Sequence, residues 1–298
     1  MIVLNDQQTA AALPYDLLAD EIAAVLRLAA TGKAHAPLRT VHEMPGGASL
    51  LLMPAWDERL GAVKRISVHP RNPARGLPAS SAELLVFDAD DGRGLLLADG
   101  DVVTQRRTAA LSLLAARTLR NEPPRRILII GAGAQAEAHA QAFVTAFDPE
   151  RLFIYNRTLS RATALASKAR SWGARAQTVP LPERVATEVD CVISATASRT
   201  PVVPAELPEG ACVIAVGAFT PQMAEVPPEL LKRAAVVVDT LEGARAEAGD
   251  LIQAQIDWDR VTPLAEALDS PPASATAVFK SVGSALFDLA AARLLYGM

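Results

Sequence analysis

The sequence predicts an α/β protein in two parts, an N-terminal α+β domain followed by a doubly wound parallel sheet. Three observations predict it. Ile127-Leu128-Ile129-Ile130 is a run of large aliphatics too short for a buried helix, and it reads as a central strand. The run enters Gly131-Ala132-Gly133-Ala134-Gln135-Ala136, a G-x-G-x-x-A turn, after which helical spacing continues to Phe147. Beyond it strands and helices alternate, whereas before residue 121 several short strands follow one another without crossover helices. Alternation implies a parallel sheet of the Rossmann type; strands without crossovers imply a mostly antiparallel one.

Taken in order, Pro14 to Ala30 has the spacing of an amphipathic helix, with Leu17, Leu18, Ile22, Val25 and Leu26 on one face and Gly32 as C-cap. Pro37 to His42 and Ser49 to Met53, around the Pro45-Gly46-Gly47 turn, read as paired strands. Gly61 to Val68 is expected to be a further strand, carrying Lys64. Glu83 to Asp88 and Gly94 to Ala98 flank a hairpin turn containing Asp91-Gly92. Thr104 to Arg120 reads as a long helix, with Thr104 as N-cap and Arg107 in the first turn. Asn121-Glu122-Pro123-Pro124 is the linker. Strands are then expected at 125–130, 152–155, 177–179, 191–195, 213–216 and 236–239. A final helix, Phe279 to Tyr296, is expected to pack back on the first domain. The domains are therefore placed at 1–120, completed by 280–298, and at 121–279.

The glycine turn sits where a dinucleotide fingerprint has a physical meaning: strand, tight turn, helix N-terminus. Gly131 permits the turn, Gly133 lets the backbone approach a pyrophosphate, and Ala136 allows close helix–strand packing. The helix start, with Ala134 and Gln135, offers amides and a partial positive charge to phosphates. A glycine-rich turn with no ligand is the alternative. About twenty residues on, a site for NAD usually keeps an acidic residue for the ribose 2′-hydroxyl. Here the chain has Asn156, Arg157 and Thr158, with Arg161 one helical turn later. Donors and positive charge suit a 2′-phosphate, so the sequence favours NADPH, with NADH possible. A solvent-exposed basic loop is the competing reading.

Composition narrows the partners. The chain has 298 residues, half of them apolar, and a formal net charge of −4, which gives no reason to propose nucleic acid or an anionic membrane. No signal-peptide pattern and no apolar run near ~20 residues is read. Cys191 and Cys212 fall within expected strands and lack metal-like spacing, so buried free thiols and a reducing cytoplasm are expected. His35, His42, His69 and His139 lack ligand spacing, and no metal is expected. Lysine is scarce: Lys33, Lys64, Lys168, Lys232 and Lys280.

An ordered series of stretches resembles the ornithine cyclodeaminase/mu-crystallin family over nearly the whole chain. It comprises Pro37-Leu38-Arg39, Lys64 with Asn72, Thr104-Gln105-Arg106-Arg107-Thr108-Ala109-Ala110 and the glycine turn. Ser194-Ala195-Thr196, Val216-Gly217-Ala218, Glu247-Ala248-Gly249-Asp250 and Phe279-Lys280-Ser281-Val282-Gly283 complete it. The resemblance implies a homodimer built by the first domain and an active site between the domains. It implies that Arg39, Lys64 and Arg107 face a small amino- or imino-acid, with Lys64 as the catalytic candidate. Arg107, Thr108, Thr196, Val216, Gly217 and Ser281 would join the glycine turn near the cofactor. The cyclodeaminases resembled here carry a catalytic aspartate where this chain has Phe219. Gly217-Ala218-Phe219-Thr220-Pro221 resembles instead bacterial reductases of Δ1-pyrroline-2-carboxylate and Δ1-piperideine-2-carboxylate, cyclic ketimines reduced to proline and pipecolate. Arginine offers such a carboxylate a bidentate fork, and lysine a compact charge that can also donate a proton. The competing readings are ordinary ion pairs for Arg39 and Arg107 and a surface lysine at Lys64. For the whole chain they are ornithine cyclodeaminase, an alanine-dehydrogenase-type enzyme, or a non-catalytic NADPH-binding crystallin-like protein.

Overall fold

A computed structural model describes residues 1–272 and 276–297 and divides the chain into two units. The first is Met1–Leu111 with Ser284–Met298; the second is Ser112–Gly283.

The first unit opens with β1 (Ile2–Val3), α1 (Asp6–Ala11) and α2 (Tyr15–Ala30). There follow β2 (Ala34–His35), β3 (Thr40–Met44), β4 (Ala48–Asp57), β5 (Leu60–Val68), β6 (Ser80–Asp88) and β7 (Gly94–Asp99). The helix α3 (Gly100–Leu119) begins in this unit and ends in the next. The strands form one sheet in the order β1-β7-β6-β5-β4-β2, with β3 also paired to β4. All its pairings are antiparallel except β1 with β7, as expected of strands joined by turns. On α2, Leu18, Ile22, Val25 and Leu26 are buried, but Leu17 is 54% exposed. At 100° per residue Leu17 lies about half a turn from the centre of the buried arc, so its expected core position is corrected.

In the second unit come β8 (Arg126–Ile130), α4 (Ala134–Phe147), β9 (Arg151–Tyr155), α5 (Leu159–Ser171) and β10 (Ala176–Thr178). They are followed by β11 (Cys191–Ser194), β12 (Cys212–Ala215), α6 (Pro228–Arg233), β13 (Ala235–Val238), α7 (Leu241–Glu247) and α8 (Gly249–Gln253). β14 (Val261–Pro263), α9 (Leu264–Ala267) and β15 (Ala277–Lys280) complete it. Every registered pair is parallel, in the order β10-β9-β8-β11-β12-β15-β13-β14. β8 is central and fully buried after Arg126, which explains its continuous aliphatic run. Leu128, Ile130, Phe153, Val192, Val213 and Val236 belong to one apolar cluster of this unit.

Three expectations are corrected. The helix from Phe279 is in fact β15, seated between β12 and β13, followed by α10 (Ala285–Leu295), whose N-cap is Ser284. A short apolar run does not distinguish a buried strand from a helix, and Gly283, at φ +89°, separates the two elements. α10 packs on α2 and across β5 and β4, and its Arg293 pairs with Glu21 of α2 and Asp57 of β4. The division between units lies inside α3, not in the 121–124 linker, because Ser112 already bonds to His139 of α4, Oγ to Nε2 at 2.8 Å. Lastly, α3 starts four residues earlier than Thr104. The Asp99 carboxyl accepts the Val102 amide at 2.9 Å and starts the helix there, while the Thr104 hydroxyl donates back to Gly100 O. Arg107 is therefore in the second turn, and no helix-end field acts on it. Among the described residues, no helix is long and apolar enough to cross a membrane.

Candidate functional site

Two constellations of polar residues stand out, one in each unit. The first begins with Lys64, in the middle of β5, where Met53 of β4 and Leu84 of β6 flank it in register. Its side chain is fully buried, and Nζ lies 2.8 Å from Oδ1 of Asp288 on α10. Arg107, nearly buried on α3, places Nε 3.5 Å from the same Oδ1. Burial pushes the Lys64 ammonium down to about 8; Asp288 opposes the shift, and Arg107 and Arg39 add to it. Arg39 is thus within electrostatic reach of Lys64, but it lies in the segment preceding β3, not within a strand. Burial also raises the Asp101 carboxyl, and Lys64 is among the charges that act against that rise. Lys64, Arg107 and Arg39 bring three cations together around Asp288, with Asp101 and, beside it, Asp99 and Glu83 at the edge of the group. Such a cluster suits one carboxylate ligand. Arg107 does make the ion pair that the simpler reading expects, but it shares the acceptor with Lys64. Asp288 was not foreseen. Its signal is an acidic residue between Phe287 and Leu289, in a helix whose other residues up to Ala292 are all apolar, where a charge needs a partner.

The second constellation lies at the carboxyl ends of the parallel strands, the edge at which open α/β sheets take ligands. Gly131 follows β8 with φ +118°, and a Cβ there would sit 2.5 Å from Ala195 O, so only glycine fits the turn. Gly133 differs: a Cβ on it would meet no protein atom within 4 Å. It caps α4 with no side-chain hydrogen bond to the helix amides, and Ala134 beside it is exposed. Packing within the protein does not require glycine there, and the open space leaves room for a phosphate group. Ala136 is fully buried, as helix–strand packing requires. Gln135 lies in the first turn and its backbone carbonyl faces His139 Nδ1 at 2.7 Å. After β9, Asn156 Nδ2 donates to Thr158 O at 3.0 Å. Arg157 and Arg161 are exposed and form no ion pair among the described residues. These groups could meet the ribose end of a bound dinucleotide.

Buried carboxyl groups hold the remaining loops of that edge. Glu225 accepts from Ser194 Oγ, the Thr196 amide and Thr196 Oγ1 on one oxygen, and from the Gly217 and Ala218 amides on the other. A Cβ on Gly217 would lie 2.1 Å from Thr196 O, so the two loops touch backbone to backbone. Val216 donates its amide to Ser194 O at 2.9 Å, continuing the β11–β12 ladder past its end. Asp250 accepts from the Glu225 and Val226 amides and ion-pairs with fully buried Lys280 at 2.8 Å. Asp239 accepts from Ser281 Oγ and from the Val282 and Gly283 amides. The polar groups of Thr196, Gly217 and Ser281 are thus directed at buried carboxyls. Thr108, expected near the cofactor, donates its hydroxyl to Thr104 O within α3. Phe219 is half-exposed in the loop after Gly217.

Comparison with known proteins gives the following. The model of the ornithine cyclodeaminase/mu-crystallin family matches residues 2–298. The Delta(1)-pyrroline-2-carboxylate/Delta(1)-piperideine-2-carboxylate reductase of Azospirillum brasilense is 38% identical over 293 residues, 98% of this chain and 94% of that protein. The structure of Thermococcus litoralis Delta(1)-pyrroline-2-carboxylate reductase with NADH and L-proline aligns with a TM-score of 0.91 at 29% identity, covering 99% of this chain and 96% of that one. An archaeal alanine dehydrogenase dimer with bound NAD aligns with a TM-score of 0.91 at 28% identity, covering 99% and 95%.

Proposed function

The chain belongs to the ornithine cyclodeaminase/mu-crystallin family, and on that premise we propose that it reduces cyclic 2-carboxylate ketimines with a nicotinamide dinucleotide. The substrates are Δ1-pyrroline-2-carboxylate and/or Δ1-piperideine-2-carboxylate, and the products L-proline and L-pipecolate. One observation carries the reading: a fully buried lysine, its ammonium pushed down to about 8, shares the Asp288 carboxylate with Arg107 and lies within electrostatic reach of Arg39. The names of the relatives support it, since they include reductases of both rings and one complex with NADH and L-proline.

In this reading the first unit holds the substrate carboxylate and the second the dinucleotide. Arg39 and Arg107 bind the carboxylate, for which a guanidinium supplies paired donors. Lys64 keeps a proton on Nζ through neutral pH and gives it to the imine nitrogen. Gly131, Gly133, Ala134 and Gln135 cradle the pyrophosphate at the start of α4. Thr196, Val216, Gly217 and Ser281 act through where their backbones stand, because their polar groups are engaged elsewhere. Bound reduced nicotinamide supplies the hydride. Carbon gains that hydride, nitrogen gains the lysine proton, and the C=N bond becomes a C–N bond. We assign the first unit the dimer contact as well, since it leaves Leu38, Val41, Trp56 and Leu85 exposed. The direct test is oxidation of NADPH or NADH with each cyclic imine; if neither imine elicits turnover, the reading fails.

Cofactor preference gives a sharper test. With Asn156, Arg157 and Thr158 in place of an acidic ribose ligand, NADPH is expected to bind more tightly than NADH. Arg157→Ala is expected to weaken NADPH by about ten- to hundredfold, the loss of one charge-assisted contact, and NADH only slightly. Titration of both cofactors against both proteins checks this, and an equal loss for the two cofactors would refute it.

Phe219 has no exchangeable proton, so release of ammonia from ornithine is expected to stay at background. Incubation with ornithine and NAD, followed by ammonia and proline determination, checks it; stoichiometric appearance of both would return the protein to the cyclodeaminases.

A further inference from the structure

The charged groups facing Lys64 are few and come from every side. Asp288 approaches from α10, Arg107 from α3, and Arg39 from the segment before β3, with Asp101 at the start of α3 also coupled to it. The strands on either side contribute Met53 and Leu84, both buried and apolar. Asp288 is therefore the carboxyl in hydrogen-bond contact with the ammonium, at 2.8 Å. Its Oδ1 also faces Arg107 Nε, while Oδ2 is buried and has no hydrogen-bond partner among the described residues. A helix that packs on a core through Phe287 and Leu289 needs no carboxylate at this position, and burying one is costly. Its placement makes sense as a service to the two cations.

From this geometry we infer that Asp288 is a positioning residue for the proposed reduction, holding the Lys64 ammonium protonated and in place between β5 and α3. Without Asp288, Lys64 would face Arg107 and Arg39 at full burial, and both like charge and desolvation would drive its proton off. With it, the proton stays on Nζ until an acceptor arrives. In the transfer the Nζ–H bond breaks and an N–H bond forms at the imine nitrogen; Asp288 exchanges no proton itself. The inference rests on the imine-reductase reading for the use made of that proton, but not for the coupling between the two side chains.

Asp288→Asn keeps the shape of the side chain and removes its charge. The wild type is expected to lose imine reduction as pH rises through about 8. In the variant that limb is expected to move down by about one pH unit or more, the usual effect of removing an adjacent opposite charge. The rate at the wild-type midpoint then falls about fivefold, approaching about tenfold above it, and the rate well below it changes little. Dinucleotide affinity stays unchanged, and Asp288→Glu returns the limb toward its wild-type position. A limb at the same pH in the asparagine variant overturns the inference. So does a uniform loss at all pH values with a lowered Tm, which marks a packing role alone. Should the variant fail to fold, the wild type provides the measurement. With five lysines in the chain, lysine-selective labelling gives few side-chain signals, and Lys64→Met identifies the one to follow by NMR titration. A midpoint near about 8 supports the inference. A midpoint below about 6.5, where the proton would be lost at neutral pH, overturns it. The titration needs no turnover, so an inactive protein with this midpoint would defeat the reductase reading and leave the Asp288–Lys64 coupling standing.

Discussion

Glu225→Ala is expected to destabilise the protein by about 3–5 kcal/mol and to weaken dinucleotide binding with it. The Glu225 side chain is buried and accepts five hydrogen bonds, at 2.6 to 3.0 Å, from the loops that follow β11 and β12. Alanine leaves those donors facing a cavity, each stranded donor costing about 1–3 kcal/mol, less whatever the loops recover by shifting. Gly217 limits that recovery, because its backbone already lies against Thr196. Glutamine is expected to be milder. Its carbonyl can take the Gly217 and Ala218 amides while its NH2 group meets the Ser194 and Thr196 hydroxyls, which rotate to accept. Only the Thr196 amide then loses its acceptor. Denaturant unfolding of both variants, with dinucleotide titration alongside, measures the difference. A cost below about 1 kcal/mol for the alanine variant would mean that the loops do not depend on this carboxyl.

What the sequence disclosed about the fold follows from where local pattern and tertiary demand agree. β8 and the turn after it were legible because a fully buried parallel strand must be aliphatic and the turn at Gly131 tolerates only glycine. β15 was not legible. Its four residues are as apolar as a helix face, and its place between β12 and β13 is a long-range pairing that no local signal carries. The start of α3 was missed because Thr104 is a good cap residue by type, while Asp99, the group that does accept the amide, sits at the end of a strand. The cationic residues of the candidate site could be named from the ordered motifs, but their geometry could not. Arg39, Lys64 and Arg107 belong to three separate segments, and the group that joins two of them, Asp288, lies on a helix read as a plain apolar stripe. Similarly, the motifs place Thr196, Gly217 and Ser281 near the cofactor but do not disclose that their polar atoms serve the buried carboxyls Glu225 and Asp239. A motif marks a residue as constrained without saying by what.

Lys64→Met is expected to lower kcat for imine reduction by on the order of a hundredfold or more, the range over which a positioned proton donor contributes. Burial has brought the lysine from a group that holds its proton to pH 10.5 to one that releases it at about 8. The sign follows from the protonated form being the donor: activity is full below that value and is lost above it. In the methionine variant the residual rate should no longer show that limb. Arg39→Ala is expected to act mainly on KM for the imine, raising it by about ten- to hundredfold for one charge-assisted contact. Arg107→Ala separates the two roles assigned to that residue, since a carboxylate contact appears in the imine KM and a cofactor contact in the dinucleotide Kd. It also removes one of the two cations at Asp288 Oδ1, so its alkaline limb is expected to move up, the reverse of Asp288→Asn, because Arg107 lowers Lys64. Dinucleotide affinity should be unchanged in Lys64→Met and Arg39→Ala. Steady-state kinetics across pH, with cofactor binding measured separately, decide the matter. If all three truncations leave kcat/KM within about twofold, against the ten- to hundredfold expected of a lost charged contact, the substrate is held by other residues and the assignment of this cluster fails.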